Sequence, residues 1–239
     1  YKSQNINKSI HYLTLAANQN NDDALYLMGK LYQEGEHVKQ DTKIAIQYFT
    51  LAANQNNSSA QYHLGLIYLS DEYNKKDIKK GVHYLTLASN NNIPEAHFYL
   101  GDFYYSCRYG YRDINKSIHY FTLAANQNHI EAQFKLGAIY SDGQYIQPDM
   151  NKAIKYFLLS ANQNHKNAQT YLGFVYYKGK DIKKSIYYFT LAANKNDPVA
   201  QFMLGFIYYE GENGIKDIDK SITLTTSSDG IFSGGDLSI

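Results

Sequence analysis

The chain has 239 residues, of which 44% are apolar and 19% charged, so it can form a core and is not expected to be disordered. Its 23 Lys and Arg balance 22 Asp and Glu, a net charge of +1, which argues against a nucleic-acid-binding protein that neutralises phosphates. No apolar run approaches the roughly 20 residues of a membrane-spanning helix, and the single cysteine, Cys107, excludes an internal disulfide. A cytoplasmic protein without a membrane span is the simplest expectation, and a secreted protein without disulfides is the alternative.

A repeated unit of about 36 residues dominates the sequence. A Leu-Gly or Met-Gly pair is followed three residues after the glycine by a tyrosine, and an alanine lies five residues before each glycine. The glycines are Gly29, Gly65, Gly101, Gly137, Gly173 and Gly205, at spacings of 36, 36, 36, 36 and 32. A fixed period of this length is typical of repeat proteins, in which each unit packs on its neighbours.

The period divides the chain into consecutive units. Residues 1–21 hold the second helix of a truncated repeat, and residues 223–239 form a Ser/Thr/Gly-rich tail. Between them we predict six repeats, the fifth short and the sixth incomplete, at 22–57, 58–93, 94–129, 130–165, 166–197 and 198–222. Because residue 1 is Tyr, we expect a piece of a longer polypeptide. The tail is then either an altered gene end or a segment that docks over the last helix.

Each repeat predicts two helices, which we call helix A and helix B. In helix A the alanine, the Leu before the glycine and the Tyr after it fall on one arc, which predicts a buried stripe. An aspartate then opens helix B as its N-cap, and an Asn-Gln-Asn motif closes it with its last Asn in a left-handed turn. The capping aspartates are Asp41, Asp77, Asp113, Asp149, Asp181 and Asp217.

The glycine inside helix A requires a compensating contact. A helical glycine costs roughly 0.8–1.0 kcal/mol relative to alanine, so six of them cost about 5–6 kcal/mol. We therefore predict that a neighbouring helix approaches closely over each missing side chain.

The order Ala-x-x-x-Leu-Gly-x-x-Tyr-x-x-Gly, then Asp-x-x-Lys-Ala, then Tyr and Ala resembles the Sel-one-like repeats, relatives of the tetratricopeptide repeat. The fourth repeat carries this motif in Ala132, Leu136, Gly137, Tyr140, Gly143, Asp149, Lys152, Ala153, Tyr156 and Ala161. The resemblance covers about residues 5–222 and implies an all-α, right-handed solenoid of antiparallel helix pairs. It also implies a non-catalytic scaffold or adaptor for protein or peptide ligands, with helix A lining the concave side.

Residues with catalytic or metal-binding chemistry are scattered along the chain. His11, His83 and His119 occupy the same position in different helices B, and no two histidines have the i,i+4 spacing of a helical zinc site. Cys107 lies in a connecting loop and is interpreted as a lone free thiol. We expect no enzyme activity, no metal and no cofactor.

One face of helix A differs between the repeats and is the candidate partner groove. Positions that are identical across repeats serve the shared packing, whereas positions that differ are free of that role. This face comprises the positions two before, one after and five after the glycine, and the last position holds Glu34, Ser70, Ser106, Asp142, Lys178 and Glu210. The candidate groove residues come from the other two positions: Leu27, Lys30, His63, Leu66, Tyr99, Asp102, Lys135, Tyr171, Phe174, Met203 and Phe206. Aromatic and Met side chains at these positions could anchor a bound peptide. The alternative is that the residues vary between repeats without any role in binding.

Two further functional classes stay open. Repeats of this type also occur joined to protein kinases, so the chain would then be the regulatory array of a larger signalling enzyme, although it holds no kinase signature itself. A small enzyme built on the helices is the third class, since a fold alone determines no chemistry.

Overall fold

The computed structural model describes residues 2–71, 77–106 and 110–211, and all regular structure in this part of the chain is helical. The helices are α1 (Lys2–Asn18), α2 (Asp22–Glu34), α3 (Thr42–Ala53), α4 (Ser58–Leu69), α5 (Ile78–Asn90), α6 (Pro94–Tyr105), α7 (Ile114–Asn126), α8 (Ile130–Asp142), α9 (Met150–Asn162), α10 (Lys166–Lys178), α11 (Ile182–Ala193) and α12 (Pro198–Glu210). Even-numbered helices are the predicted helices A and odd-numbered helices the predicted helices B. The expected all-α repeat fold is therefore confirmed.

The chain divides into two compact units, Tyr1–His129 and Ile130–Ile239. Within each unit every helix A packs along the helix B that follows it, and that helix B packs on the next helix A. None of the described helices is both long enough and apolar enough to cross a bilayer.

The connection from helix A to helix B is fixed by the predicted capping aspartate. In the third repeat the side chain of Asp113 accepts a hydrogen bond from the backbone N–H of Lys116, and its own N–H donates to the carbonyl of Tyr104 at 2.9 Å. The cap also forms at Asp41, Asp77, Asp149 and Asp181. The predicted N-caps are thus confirmed at five positions, and Asp217 lies outside the described residues.

The turn that ends helix B is left-handed, as predicted. Its φ angle lies between 56° and 67° at Asn20, Asn56, Asn92, Asn128, Asn164 and Asn196. Asparagine tolerates this conformation better than most side chains, because its short amide can bond locally.

The repeated glycine admits a large side chain from helix B. A Cβ atom added at Gly101 would lie 2.6 Å from Cδ1 of the buried Phe121, closer than carbon atoms approach. Phe49, Phe157 and Phe189 lie in the same way against Gly29, Gly137 and Gly173, and Leu85 takes this place against Gly65. The predicted close approach is confirmed at these five glycines, and the ring burial offsets the poor helix propensity of glycine.

The abundant tyrosines stack in pairs, one from each helix of a hairpin. Tyr104 and Tyr120 lie parallel with ring centroids 5.9 Å apart, and the Lys116 ammonium lies 5.0 Å from the Tyr104 centroid. The same Nζ is 3.5 Å from a carboxylate oxygen of Asp113. The Tyr pair recurs in the hairpins that begin at α2, α4, α8 and α10. The stack therefore explains much of the chain's tyrosine content.

In α4, α6 and α10 a buried polar residue joins helix A to the preceding helix B, whereas the equivalent position of α2 holds the apolar Leu25. Gln169 Nε2 donates to the carbonyl of Ala161 at 3.2 Å, and Gln61 bonds in the same way to Ala53. At the equivalent position of α6, His97 Nδ1 lies 2.7 Å from the Ser89 hydroxyl, and its buried Nε2 has no hydrogen-bond partner. Burial, and then the charge of His119, lowers the pKa of His97.

Candidate partner-binding surface

The candidate residues occupy two positions of helix A, three residues apart, so each pair lies about one turn apart on one face. Five large apolar side chains among them keep a substantial exposed fraction: Leu27 (42%), Tyr99 (39%), Tyr171 (44%), Phe174 (37%) and Phe206 (37%). The other six are half-buried, namely Lys30, His63, Leu66, Asp102, Lys135 and Met203. The face is therefore accessible and combines apolar with charged groups.

In the first unit, His63 closes the junction between α2 and α4. Its ring stacks on Phe49 with centroids 5.1 Å apart, and its Nδ1 lies 3.0 Å from Oε1 of Gln33. Burial lowers the pKa of His63, and the nearby charge of Lys30 lowers it further. Lys30 and His63, predicted from separate repeats, are thus neighbours on one surface.

The next junction, between α4 and α6, is open. A cleft of about 180 Å³ lies there, with Leu66, Leu69, Tyr99 and Phe103 as apolar walls. Its polar lining consists of Ser70, Asp102 and Ser106. Three predicted residues, Leu66, Tyr99 and Asp102, therefore line a single cleft.

Small residues explain why this junction stays open. Ser70 and Ser106 are the C-caps of α4 and α6, five residues after the glycine, where the other repeats carry Glu34, Asp142, Lys178 and Glu210. Leu85 also replaces the phenylalanine on which His63 stacks in the preceding junction. Tyr99 turns instead towards Tyr62, at 5.9 Å between centroids, and burial together with Tyr99 raises the pKa of Tyr62.

In the second unit the corresponding face lies over aromatic rings. Tyr171 stacks on Phe157 with centroids 4.7 Å apart, and Phe174 meets Phe189 edge to face at 5.1 Å. Met203 packs against the cluster that contains Phe189. These predicted residues have both a packing role and an accessible surface.

Sequence reasoning missed two of the seven residues around the α4–α6 cleft, Leu69 and Phe103. Ser70 and Ser106 lie on the predicted variable face, five residues after the glycine. One signal was present: Phe103 is the only aromatic residue two positions after a repeat glycine, where other repeats carry Leu31, Ile67, Ile139, Val175 and Ile207.

The histidines of the shared helix B position, His11, His83 and His119, are exposed. Within the ranges that the structure describes, no three or more His, Cys, Asp or Glu side chains are placed to hold a metal ion. Cys107 lies outside the described residues.

Comparisons with known proteins agree with this architecture. A family model for the Sel1 repeat matches residues 1–21, 22–57, 58–93, 94–129, 130–165, 166–197 and 198–226. A Sel1 repeat protein from Oxalobacter formigenes is similar over 95% of this chain and 97% of its own, with 27% identity and a TM-score of 0.74. A search of curated proteins found no match.

A protective antigen of uropathogenic Escherichia coli strains, which displays an SLR fold, is similar over 91% of this chain, with 27% identity and a TM-score of 0.87. The match spans about half of that antigen, 48% of its length. The family model extends over nearly the whole chain, and the solved structures share its fold. The chain therefore belongs to the Sel1 repeat family, with the solenoid fold of that family.

Proposed function

We propose that this chain is a non-catalytic scaffold or adaptor that binds protein partners through the variable face of helix A. Sel1 repeats are generally protein-interaction modules without catalytic activity, which supports the proposal. The near-zero net charge favours protein partners over nucleic acid. The family match lends no support to the alternative that the array belongs to a protein kinase.

One observation carries the proposal: five large apolar side chains remain exposed on helices A, either two residues before or one residue after the repeat glycine. Exposed apolar groups that share one face are typical of interaction sites. Aromatic side chains such as Tyr99 and Phe174 supply a large contact area when a partner covers them.

The experiment compares two sets of exposed apolar residues in the full chain. The first variant carries Leu27→Ser, Phe174→Ser and Phe206→Ser on helices A. The matched control carries Leu51→Ser, Leu159→Ser and Tyr187→Ser, which are also exposed but lie on helices B. Each immobilised protein is incubated with a lysate of its source cells, and bound proteins are quantified by mass spectrometry.

We expect the helix A variant to lose most of the proteins that the unchanged chain captures, because partner contact with apolar anchors is removed. The helix B variant should retain them. If both variants capture the same set as the unchanged chain, or both lose it equally, the helix A face is not the binding surface. Circular dichroism of each protein checks that the helical content is unchanged.

A further inference from the structure

The N-cap of helix α10 is a histidine. In α4 the side chain of Asn57 accepts a hydrogen bond from the N–H of Ala60 at 3.0 Å, and Asp197 forms the same cap on α12. In α10 the ring nitrogen Nδ1 of His165 takes this place and accepts from the N–H of Ala168 at 3.2 Å. A ring nitrogen accepts only while it carries no proton, so the cap requires a neutral ring with its proton on Nε2.

The surroundings of His165 favour the neutral ring. Its side chain is 16% exposed and packs on Phe134, with ring centroids 4.7 Å apart. Charged groups face it from α8 and from the end of α11: Nε2 lies 3.9 Å from Oε1 of Glu131, and the ammonium of Lys195 donates to the carbonyl of Asn164. Burial lowers the pKa of His165, the charge of Glu131 raises it and that of Lys195 lowers it, with a net decrease. Because Glu131 is 56% exposed, water screens its attraction for the ring.

Protonation of the ring acts against this cap in two ways. Both ring nitrogens of an imidazolium are donors, so the N–H of Ala168 loses its acceptor. The new positive charge also faces the N-terminus of α10, where the helix dipole favours negative charge. A protonated His165 therefore opposes the start of the helix that the neutral ring caps.

We infer that His165 is an acid-sensitive N-cap: when its ring takes up one proton from solvent, the hydrogen bond from Ala168 is lost and the first turn of α10 opens. His165 is the only histidine between residues 130 and 239. Histidine is the side chain that ordinarily changes its charge between pH 5 and 8. The opened turn directly precedes Tyr171, so acid acts beside the variable face of helix A. This device belongs to the fold itself and does not rest on the proposed function.

The expected size of the effect follows from the linkage between protonation and opening. Because the pKa of His165 is lowered in the closed turn, the cap is fully formed above about pH 6.5 and is lost as the pH falls. In the opened turn the ring has its ordinary pKa of about 6.5, so at pH 5.0 protonated rings outnumber neutral rings there by about thirty to one. Acidification from pH 7.5 to 5.0 therefore favours the opened turn by about thirtyfold at most.

Three variants of the full chain separate the cap from other effects of acid. His165→Asn keeps an acceptor of the kind that Asn57 supplies in α4, but this side chain does not titrate. His165→Lys has a positive charge and no acceptor, so it mimics the protonated ring. His83→Asn removes an exposed histidine of α5 and is the matched control.

Hydrogen–deuterium exchange followed by mass spectrometry measures the opening at pH 7.5 and 5.0, with exchange times corrected for the intrinsic effect of pH. In the unchanged chain and in His83→Asn, we expect the protection of residues 166–170 to fall roughly fivefold to thirtyfold at pH 5.0. In His165→Asn it should change by less than about twofold, because the cap no longer titrates. In His165→Lys it should already be low at pH 7.5, because no acceptor is present.

Three results would overturn the inference: equal protection of the first turn at both pH values in the unchanged chain, an undiminished loss of protection in His165→Asn, or full protection of His165→Lys at pH 7.5. If His165→Lys alters the circular dichroism spectrum, the comparison of His165→Asn with the unchanged chain decides the question. The measurement involves no partner, so its outcome is separate from that of the capture experiment on the helix A face.

Discussion

The two faces of helix A obey different constraints. On one face, Gly101 lies against the ring of Phe121 so closely that even a methyl group does not fit, and the same contact recurs in other hairpins. On the other face, the equivalent positions hold Leu27, Tyr99 or Tyr171 and leave each side chain partly exposed. On the first face the close contact with helix B requires a glycine in each repeat. On the second face the residue type differs between repeats, because the side chains there are only partly covered.

The variable face is itself divided between closed and open junctions. His63 closes the α2–α4 junction by stacking on Phe49, whereas the α4–α6 junction keeps a cleft beside Tyr99. The difference arises from the residue beneath, Phe49 or Leu85, and from the small Ser70 and Ser106 at the helix ends. A few differences in sequence between repeats therefore decide whether a junction is closed by stacked rings or keeps a cleft.

The largest effect is expected on the glycine face. Gly101→Ala should lower the free energy of unfolding by about 1–2 kcal/mol, although alanine is the better helix former. Overpacking a core costs roughly 1–3 kcal/mol, and the gain in helix propensity returns at most about 1 kcal/mol. Thermal unfolding followed by circular dichroism should show a melting temperature lower by a few degrees.

Gly179→Ala is the control for that experiment. A Cβ at Gly179 would meet only carbonyl oxygens, Val175 O at 3.4 Å and Tyr176 O at 3.6 Å, so no ring has to move. Its melting temperature should be unchanged or slightly higher. A Gly101→Ala protein as stable as the unchanged chain would mean that the two faces of helix A are equally tolerant.

The second prediction concerns the buried histidine of α6. Because burial lowers the pKa of His97 in the folded chain, the unfolded chain takes up a proton first as the pH falls below about 6.5. The stabilisation is present above that pH and is lost as the pH falls towards the pKa of the folded state. The loss is at most about 1.4 kcal/mol per pH unit. Urea unfolding between pH 7.5 and 5.0 measures it.

His97→Gln should reduce this pH dependence, because glutamine fills the equivalent position at Gln61 and Gln169 and does not titrate. His83→Gln, at an exposed position of α5, controls for the loss of one histidine. An equal loss of stability at pH 5.0 in the His97→Gln protein and the unchanged chain would show that protonation of this side chain does not oppose folding.

The sequence predicted the regular features because each repeats at a fixed separation. Gly101 and Phe121 are 20 residues apart, and the same separation joins Gly29 to Phe49, so one hairpin geometry accounts for both contacts. Identity between repeats was a poorer guide to burial. Helix B carries a leucine at the same position in six copies, yet Leu51 keeps an exposed fraction of 48%.

The cleft could not be predicted, because it depends on a combination of residues from separate repeats. Ser70, Leu85 and Ser106 are ordinary choices at their own positions, and only their combination at one junction leaves space beside Tyr99. The packing role of Tyr171 does have a signal in the sequence. A phenylalanine, Phe157, stands one repeat earlier at the position on which His63 also stacks in its own junction.

The smallest effects are expected on the variable face. Tyr171→Ala should lower the free energy of unfolding by about 1 kcal/mol, since it removes a ring stacked on Phe157 at 4.7 Å. Leu27→Ala should change it by less than about 0.5 kcal/mol, because Leu27 is exposed and Leu13 stands in place of a ring on the preceding helix. Urea unfolding of both variants at pH 7.5 measures the difference. A Leu27→Ala protein destabilised as strongly as Tyr171→Ala would mean that the exposed leucine serves folding, and its exposure would then no longer favour a binding role.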